Sequence, residues 1–238
     1  RDFLPTYLFG PRDLVVTLGQ DGLVANTAKY VKGQPIVAIN PDPERFDGVL
    51  MPFRVGDAAR VIARAREGRF KAQAVTFAEA RTNDGQVMLG FNDLFIGVAG
   101  HISARYRLRF GRKAEIQSSS GIIVSTGVGA SGWLSSIYNM ARGVTGKSSE
   151  GAKAGERWDW GEERLRFVVR EPFASKTSGA KLVAGEITPK KPLEIESRMP
   201  ERGIIFSDGI EADALEFNSG TTAFIGIAKD KGNLVIEV

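Results

Sequence analysis

The chain changes texture once, near Phe70, and that change limits its architecture more than any other feature. Up to about residue 72, apolar runs alternate with helical patterns. DLVVTL (Asp13 to Leu18) is a short run rich in β-branched residues, GQDG follows, and LVANTAKYV sets Leu23, Asn26, Thr27 and Tyr30 at helical spacing. KGQP breaks that helix before a second apolar run, Ile36 to Asn40. A strand–helix–strand unit this short implies parallel strands covered on both faces. Beyond the Pro-rich NPDPERFDG, the segment GDAARVIARAREG predicts a stronger helix. Asp57 opens it, Ala58, Val61, Ile62 and Ala65 form its apolar stripe, and Gly68 stops it.

From Phe70 onward the sequence reads as short strands: FKAQAVTFAEART, QVMLGFNDLFIGV, ISARYRLRF, AEIQSSSGIIVST, RLRFVVREPF, AKLVAGEI, KPLEIES, GIIFSDG and TTAFIGIA. Gly, Pro, Asn and Asp separate them. Only SGWLSSIYNMARG predicts a helix, and VTGKSSEGAKAGERWDWGEE reads as a polar, mobile loop. No internal repeat is visible. The expected fold class is therefore α/β plus all-β, an α/β domain followed by a β-rich one.

Composition removes several kinds of chemistry. With no cysteine, disulfide frameworks, thiol catalysis and thiolate metal sites are excluded. A single histidine excludes a multi-His metal site and leaves any Ser-His-Asp triad resting on His101, which reads more naturally as a structural residue. The net charge of +4 suits an anionic small molecule as well as a nucleic acid. Arg60, Arg64, Arg66, Arg69 and Lys71 cluster around one helix, and Arg105, Arg107 and Arg109 alternate along one strand. Both sets read as solvated faces, because single-stranded nucleic acid calls for interleaved exposed aromatics. The uncharged stretch between Glu115 and Arg142 holds seven serines and four glycines, unlike an apolar span. The expectation is a cytoplasmic protein with neither nucleic acid nor membrane as partner.

Four segments carry candidate chemistry. GQDGL lies where a parallel strand runs into a helix, the place where α/β sheets bind ligands and helix N–H groups meet phosphate. Asp21 is its unusual member, since a carboxylate beside phosphate repels it unless it holds Mg²⁺ or takes a proton. The same letters also suit an ordinary Asp-Gly turn. GVGASG (Gly127 to Gly132) has the form of a dinucleotide fingerprint but leads into no second parallel strand, so it reads as a turn that a ligand can approach. GVTGKSS (Gly143 to Ser149) imitates a phosphate loop with the wrong spacing and reads as a flexible loop. FNDLFIGV sets Asn92 and Asp93 in an apolar run, where polar groups are either used or mark an edge strand with a bulge.

Taken in order, these segments resemble the NAD kinase family over about Leu14 to Ile227. GQDGL is similar to its Gly-Gly-Asp-Gly-Thr loop, Asn92–Asp93 to its Asn-Glu pair, and STGVGASGW to its Ser/Thr-rich entry into a helix. AINPDPERFDGVLMP, SSSGIIVSTGVGASGW, VVREPFAS and EFNSG look closest to the mitochondrial-type branch. The resemblance implies an α/β nucleotide-binding domain over 1–72, lacking in this sequence its N-terminal part. It implies a β-sandwich NAD-binding domain over 73–222 and a segment, 223–238, returning to the first domain.

The implied activity is ATP + NAD to ADP + NADP, with Mg²⁺, in a homodimer or higher homo-oligomer. Asp21 would be the general base on the ribose 2′-hydroxyl, and Gly19 and Gly22 would lie along the ATP phosphates. Asn92 and Asp93 would hold the adenylyl part of NAD, Ser131, Gly132 and Trp133 would line its pocket, and Asp208 would contribute from the second domain. Gln20 and Leu23 depart from the family's Gly and Thr, which bears on ATP use. Two other readings stay open: a lipid or polyol kinase of the same superfamily, and a nucleotide-binding protein without turnover.

Overall fold

The structure, a computed structural model, describes residues 6–146 and 157–238. Of the loop expected over VTGKSSEGAKAGERWDWGEE, residues 147–156, with the end of the GVTGKSS segment, lie outside the described residues. Val144 and Thr145 belong to the helix Trp133–Thr145, and Trp158 is buried against it rather than mobile in solvent. The chain divides into two compact units, residues 1–76 with 229–238, and residues 77–228.

The first unit is built on parallel strands. β1 (Val15–Leu18) pairs in parallel with β2 (Pro35–Asn40), with Val15 opposite Ile36. The crossover between them contains α1 (Asp21–Ala28). On its other side β2 takes β3 (Phe53–Arg54) and the end of β15 (Thr222–Glu237), both in parallel, with Leu234 opposite Ile36. Val37, Ile39, Phe53 and Val235 form a core with Val61 and Ala65 of α2 (Ala58–Arg66). The apolar stripe of α2 and its stop at Gly68, which has φ +73°, are as the pattern predicts.

Two expectations need correction here. The first helix begins at Asp21 and ends at Ala28, so Asp21 lies in its first turn rather than before it. β1 is also not covered on both faces: Val16 is 41% and Leu18 58% exposed, because β1 alternates where β2 is buried from Ile36 to Asn40.

The second unit is a β-sandwich. One sheet contains the first part of β15, then β12 (Leu193–Ser197), β7 (Ala104–Phe110) and β8 (Lys113–Ser119), joined antiparallel, with β4 (Lys71–Thr82) paired to β15 and to β5 (Val87–Gly90). The other sheet runs β11 (Ala184–Ile187), β10 (Leu165–Val169), β9 (Ile122–Ser125), β6 (Asp93–Val98), β13 (Gly203–Ser207) and β14 (Ile210–Glu216), antiparallel throughout. Tyr106, Leu108, Leu193 and Ile195 from the first sheet meet Leu94, Ile96, Ile122 and Phe167 from the second in one core. β7 shows the rule most clearly. Ala104, Tyr106, Leu108 and Phe110 are buried, and Arg105, Arg107 and Arg109 are exposed. The aromatic and basic residues of β7 therefore occupy opposite faces.

Two segments expected as single strands are each two strands in different sheets. AEIQSSSGIIVST divides into β8 and β9 at Gly121, whose φ of +101° lets the chain turn a corner between sheets. QVMLGFNDLFIGV divides into β5 and β6 at Phe91–Asn92. β6 lies between β9 and β13, so it is not an edge strand. Among the described residues no helix is long and apolar enough to cross a membrane.

Candidate functional site

Two groups of candidate residues are assembled, one in each unit. In the first unit, Gly19 follows β1, its N–H reaching the Ile39 carbonyl, and exposed Gln20 caps α1 in an extended conformation without a side-chain bond. Asp21 Oδ1 accepts the Leu50 N–H at 2.8 Å, and its other oxygen has no partner among the described residues. An acidic residue in the first turn also complements the helix dipole. Asp21 thus has two structural reasons for its place, which softens the electrostatic cost anticipated from the sequence. Gly22 lends its carbonyl to Asn26 Nδ2 at 2.7 Å. Leu23 folds back so closely that a Cβ on Gly19 would lie 2.8 Å from Leu23 Cδ2.

The second group is the corner between β5 and β6. Asp208 and Gly209 form the two-residue turn joining β13 to β14, with φ of +53° and +71°, the Asp-Gly hairpin geometry. The Asp208 carboxylate accepts from three successive backbone donors, Phe91 N–H at 3.0 Å, Asn92 N–H at 2.6 Å and Asp93 N–H at 3.4 Å. In return Asp208 N–H donates to the Asp93 carbonyl at 3.1 Å. Asp208 is spent on the corner that holds Asn92 and Asp93, which gives it a positioning task the sequence did not reveal.

From the other side, Thr126 N–H donates to the Asn92 carbonyl at 2.9 Å, and Thr126 Oγ1–H to the Phe91 carbonyl at 2.6 Å. Gly129 N–H returns a bond to Thr126 Oγ1 at 3.2 Å. A side chain on Gly129 would collide with the Asn92 carbonyl oxygen, and one on Gly127 would lie 2.7 Å from the Asp159 carbonyl oxygen. The first two glycines of GVGASG therefore serve close approach of the chain to itself. Thr126 is a residue that sequence reasoning missed, although it stands directly before GVGASG; its hydroxyl is the joint between the two segments.

Two groups at this corner remain uncommitted. Asn92 is half-buried, and its side-chain amide has no hydrogen bond among the described residues. Asp93 is 7% exposed, and its carboxyl likewise has no partner there. Burial, and then the like charge of Asp208, push the Asp93 carboxyl up to about 7. Beyond Thr126 the chain makes a 3₁₀ turn at Gly129–Ser131 and enters α3 (Trp133–Thr145) through Gly132. Ser131 is exposed, and its carbonyl accepts from Ser135 Oγ at 2.9 Å. Half-buried Trp133 stacks on Phe95, ring centroids 5.8 Å apart, and Phe95 on Phe206; the Arg170 guanidinium lies 5.4 Å from the Trp133 ring.

His101 is exposed in the turn between β6 and β7, rather than a satisfied structural histidine. Among the described residues no three His, Asp or Glu side chains cluster to hold a metal.

No family model matches the chain. The NAD kinases of Saccharolobus solfataricus and Saccharolobus islandicus are each 28% identical over 127 residues, 53% of this chain and 49% of theirs. The match spans about half the length of these curated relatives. Yeast NADH kinase complexed with NADH superposes with a TM-score of 0.71 at 16% identity, covering 96% of this chain and 65% of that one. An NAD kinase from Archaeoglobus fulgidus in complex with ATP gives 0.64 at 17%, covering 93% and 77%. The fold is that of the NAD kinases.

Proposed function

We propose that the chain is an NAD kinase-like phosphotransferase that moves the γ-phosphoryl group of ATP to the 2′-hydroxyl of the adenosine ribose of NAD. One observation carries the reading. Two segments similar to signatures of that family, Asn92–Asp93 and STGVGASGW, join Asp208 in a single hydrogen-bonded corner that leaves an amide and a carboxyl uncommitted. The similarity to NAD kinases in sequence and fold supports the same conclusion.

In this reading Asn92 and Asp93 hold the adenylyl part of NAD, because a free amide and a buried carboxyl suit ribose hydroxyls. Asp208 positions them, and Ser131, Gly132 and Trp133 line the pocket. Gly19 and Gly22 lie along the ATP phosphates at the start of α1, where N–H groups lack helical partners. The Asp21 oxygen not bonded to Leu50 takes the proton of the 2′-hydroxyl as its oxygen bonds to the γ-phosphorus and ADP leaves. Phosphoryl transfer asks chiefly for positioning and charge neutralisation. Mg²⁺ bound with ATP would supply the latter, and Asp21, whose second oxygen is unbonded among the described residues, is the residue that would hold it.

The same reading makes the protein a cytoplasmic homodimer or higher homo-oligomer, nearest the mitochondrial-type branch. It assigns ATP to residues 1–72, with 223–238 returning to them, and NAD to 73–222.

Asp21→Asn tests the base. The amide keeps an acceptor for the Leu50 N–H, so the fold and the affinity for NAD are expected to stay. Turnover is expected to fall by about 10² or more, without rescue by added Mg²⁺. A variant forming NADP at the parent's rate would remove Asp21 from the chemistry, and rescue by Mg²⁺ would make it a metal ligand only.

A further inference from the structure

The sandwich carries a second polar cleft, of about 430 Å³, which shares no residue with the corner just described. Arg105, Gln117, Phe173, Thr177 and Arg198 are among the residues lining it. Arg198 N–H donates to the Arg105 carbonyl at 2.9 Å, continuing the β7–β12 ladder, so the two arginines stand opposite each other. Like charges directly opposite on neighbouring strands repel. Further along the same strands Arg109 meets Glu194 at 3.3 Å, but Arg105 and Arg198 have no acidic partner among the described residues. Two guanidinium groups left together match the oxygens of one phosphoryl group.

The rest of the cleft is built rather than loose. The segment 173–179 is tied to the edge of β8 by Phe173 N–H to the Ser118 carbonyl at 2.8 Å and Gly179 N–H to the Ile116 carbonyl at 2.9 Å. Its tip is closed by Ser175, whose Oγ accepts the Thr177 and Ser178 N–H groups, each at 3.1 Å. Gln117 is 1% exposed. Its Nε2 donates to Glu115 and to the Leu182 carbonyl on the inner face of the sheet, where Tyr106 stands opposite it, so it braces the cleft from behind. Phe173, 64% exposed, adds a flat apolar ring.

We propose that this cleft binds a small phosphorylated ligand of the mononucleotide kind. Its phosphoryl group lies between Arg105 and Arg198, and its planar base rests on Phe173. AMP is the probe, with adenosine and inorganic phosphate as separate arms. A Phe173→Trp variant reports locally, its emission read as the difference from the parent titrated alike. The expected result is a saturable change with AMP, weakened at least about tenfold by Arg105→Gln with Arg198→Gln and about as much when adenosine replaces AMP. Inorganic phosphate should displace AMP without matching its affinity. Equilibrium dialysis with the parent phenylalanine in place should lose one bound AMP in the double arginine variant. All three substituted side chains are exposed, so circular dichroism should be unchanged. An AMP signal that survives loss of both arginines, adenosine binding as tightly as AMP, or no saturable signal up to millimolar AMP would overturn the proposal.

Discussion

Asp93 has a carboxyl that burial and the neighbouring Asp208 hold up at about 7, against an ordinary value near 3.8. The folded protein therefore binds this proton more tightly than the unfolded chain between those two values. The stabilisation is complete below about pH 4 and is lost as pH rises through 7, at about 1.4 kcal/mol for each pH unit between those limits. Asp93→Asn removes that loss. Its melting temperature relative to the parent should climb from pH 4 to pH 8 by several degrees, while its affinity for NAD drops. A difference that stays flat across that range would mean Asp93 is not buried as a shifted acid. Asp208 acts through others. Asp208→Ala strips an acceptor from three N–H groups and should raise KM for NAD about tenfold with a smaller change in kcat, whereas Asp208→Asn should recover part of it. Equal kcat and KM effects, or no rescue by Asn, would count against a positioning role. The sequence set Asp208 at the end of GIIFSDG without showing its partner, because Phe91 is 117 residues away and no local pattern records such a contact. The bond from Leu50 to Asp21, across 29 residues, was hidden for the same reason.

At the scale of elements, the corner depends on two segments approaching with no side chain between them. Gly129→Ala would drive a methyl group into the Asn92 carbonyl and should cost about 2 kcal/mol in urea unfolding, with weakened NAD binding. Gly143→Ala offers the contrast. It lies within α3 with open space around it and should stabilise by about 0.5–1 kcal/mol. If Gly129→Ala is as well tolerated as Gly143→Ala, the corner is looser than described. Periodicity made the strands of the sandwich legible where one face is buried, as in β7 and β12, and it gave α2 its stripe. It failed at Gly121 and at Phe91–Asn92, because hydrophobic alternation continues across a corner while the backbone changes sheets. It also started α1 late, since Asp21 and Gly22 look like a turn until the helix that contains them is seen.

At the scale of the molecule, the division into an α/β part and a β part follows from the change of texture at Phe70, and the fold class was readable from it. Which segments meet was less readable. Order along the chain suggested a shared site, and the Asp208, Thr126 and Gly129 contacts supply the physical joint for Asn92 and Asp93. The central claim is the transfer of a phosphoryl group to one particular hydroxyl, and ³¹P NMR of the purified protein with ATP, Mg²⁺ and NAD tests it most directly. The account predicts a new phosphomonoester resonance, assigned to the adenosine ribose 2′ position, rising in step with ADP and about 10²-fold more slowly in Asp21→Asn. ATP turned over with no 2′-phosphate on NAD, or NAD bound with no product formed by the parent, would contradict it.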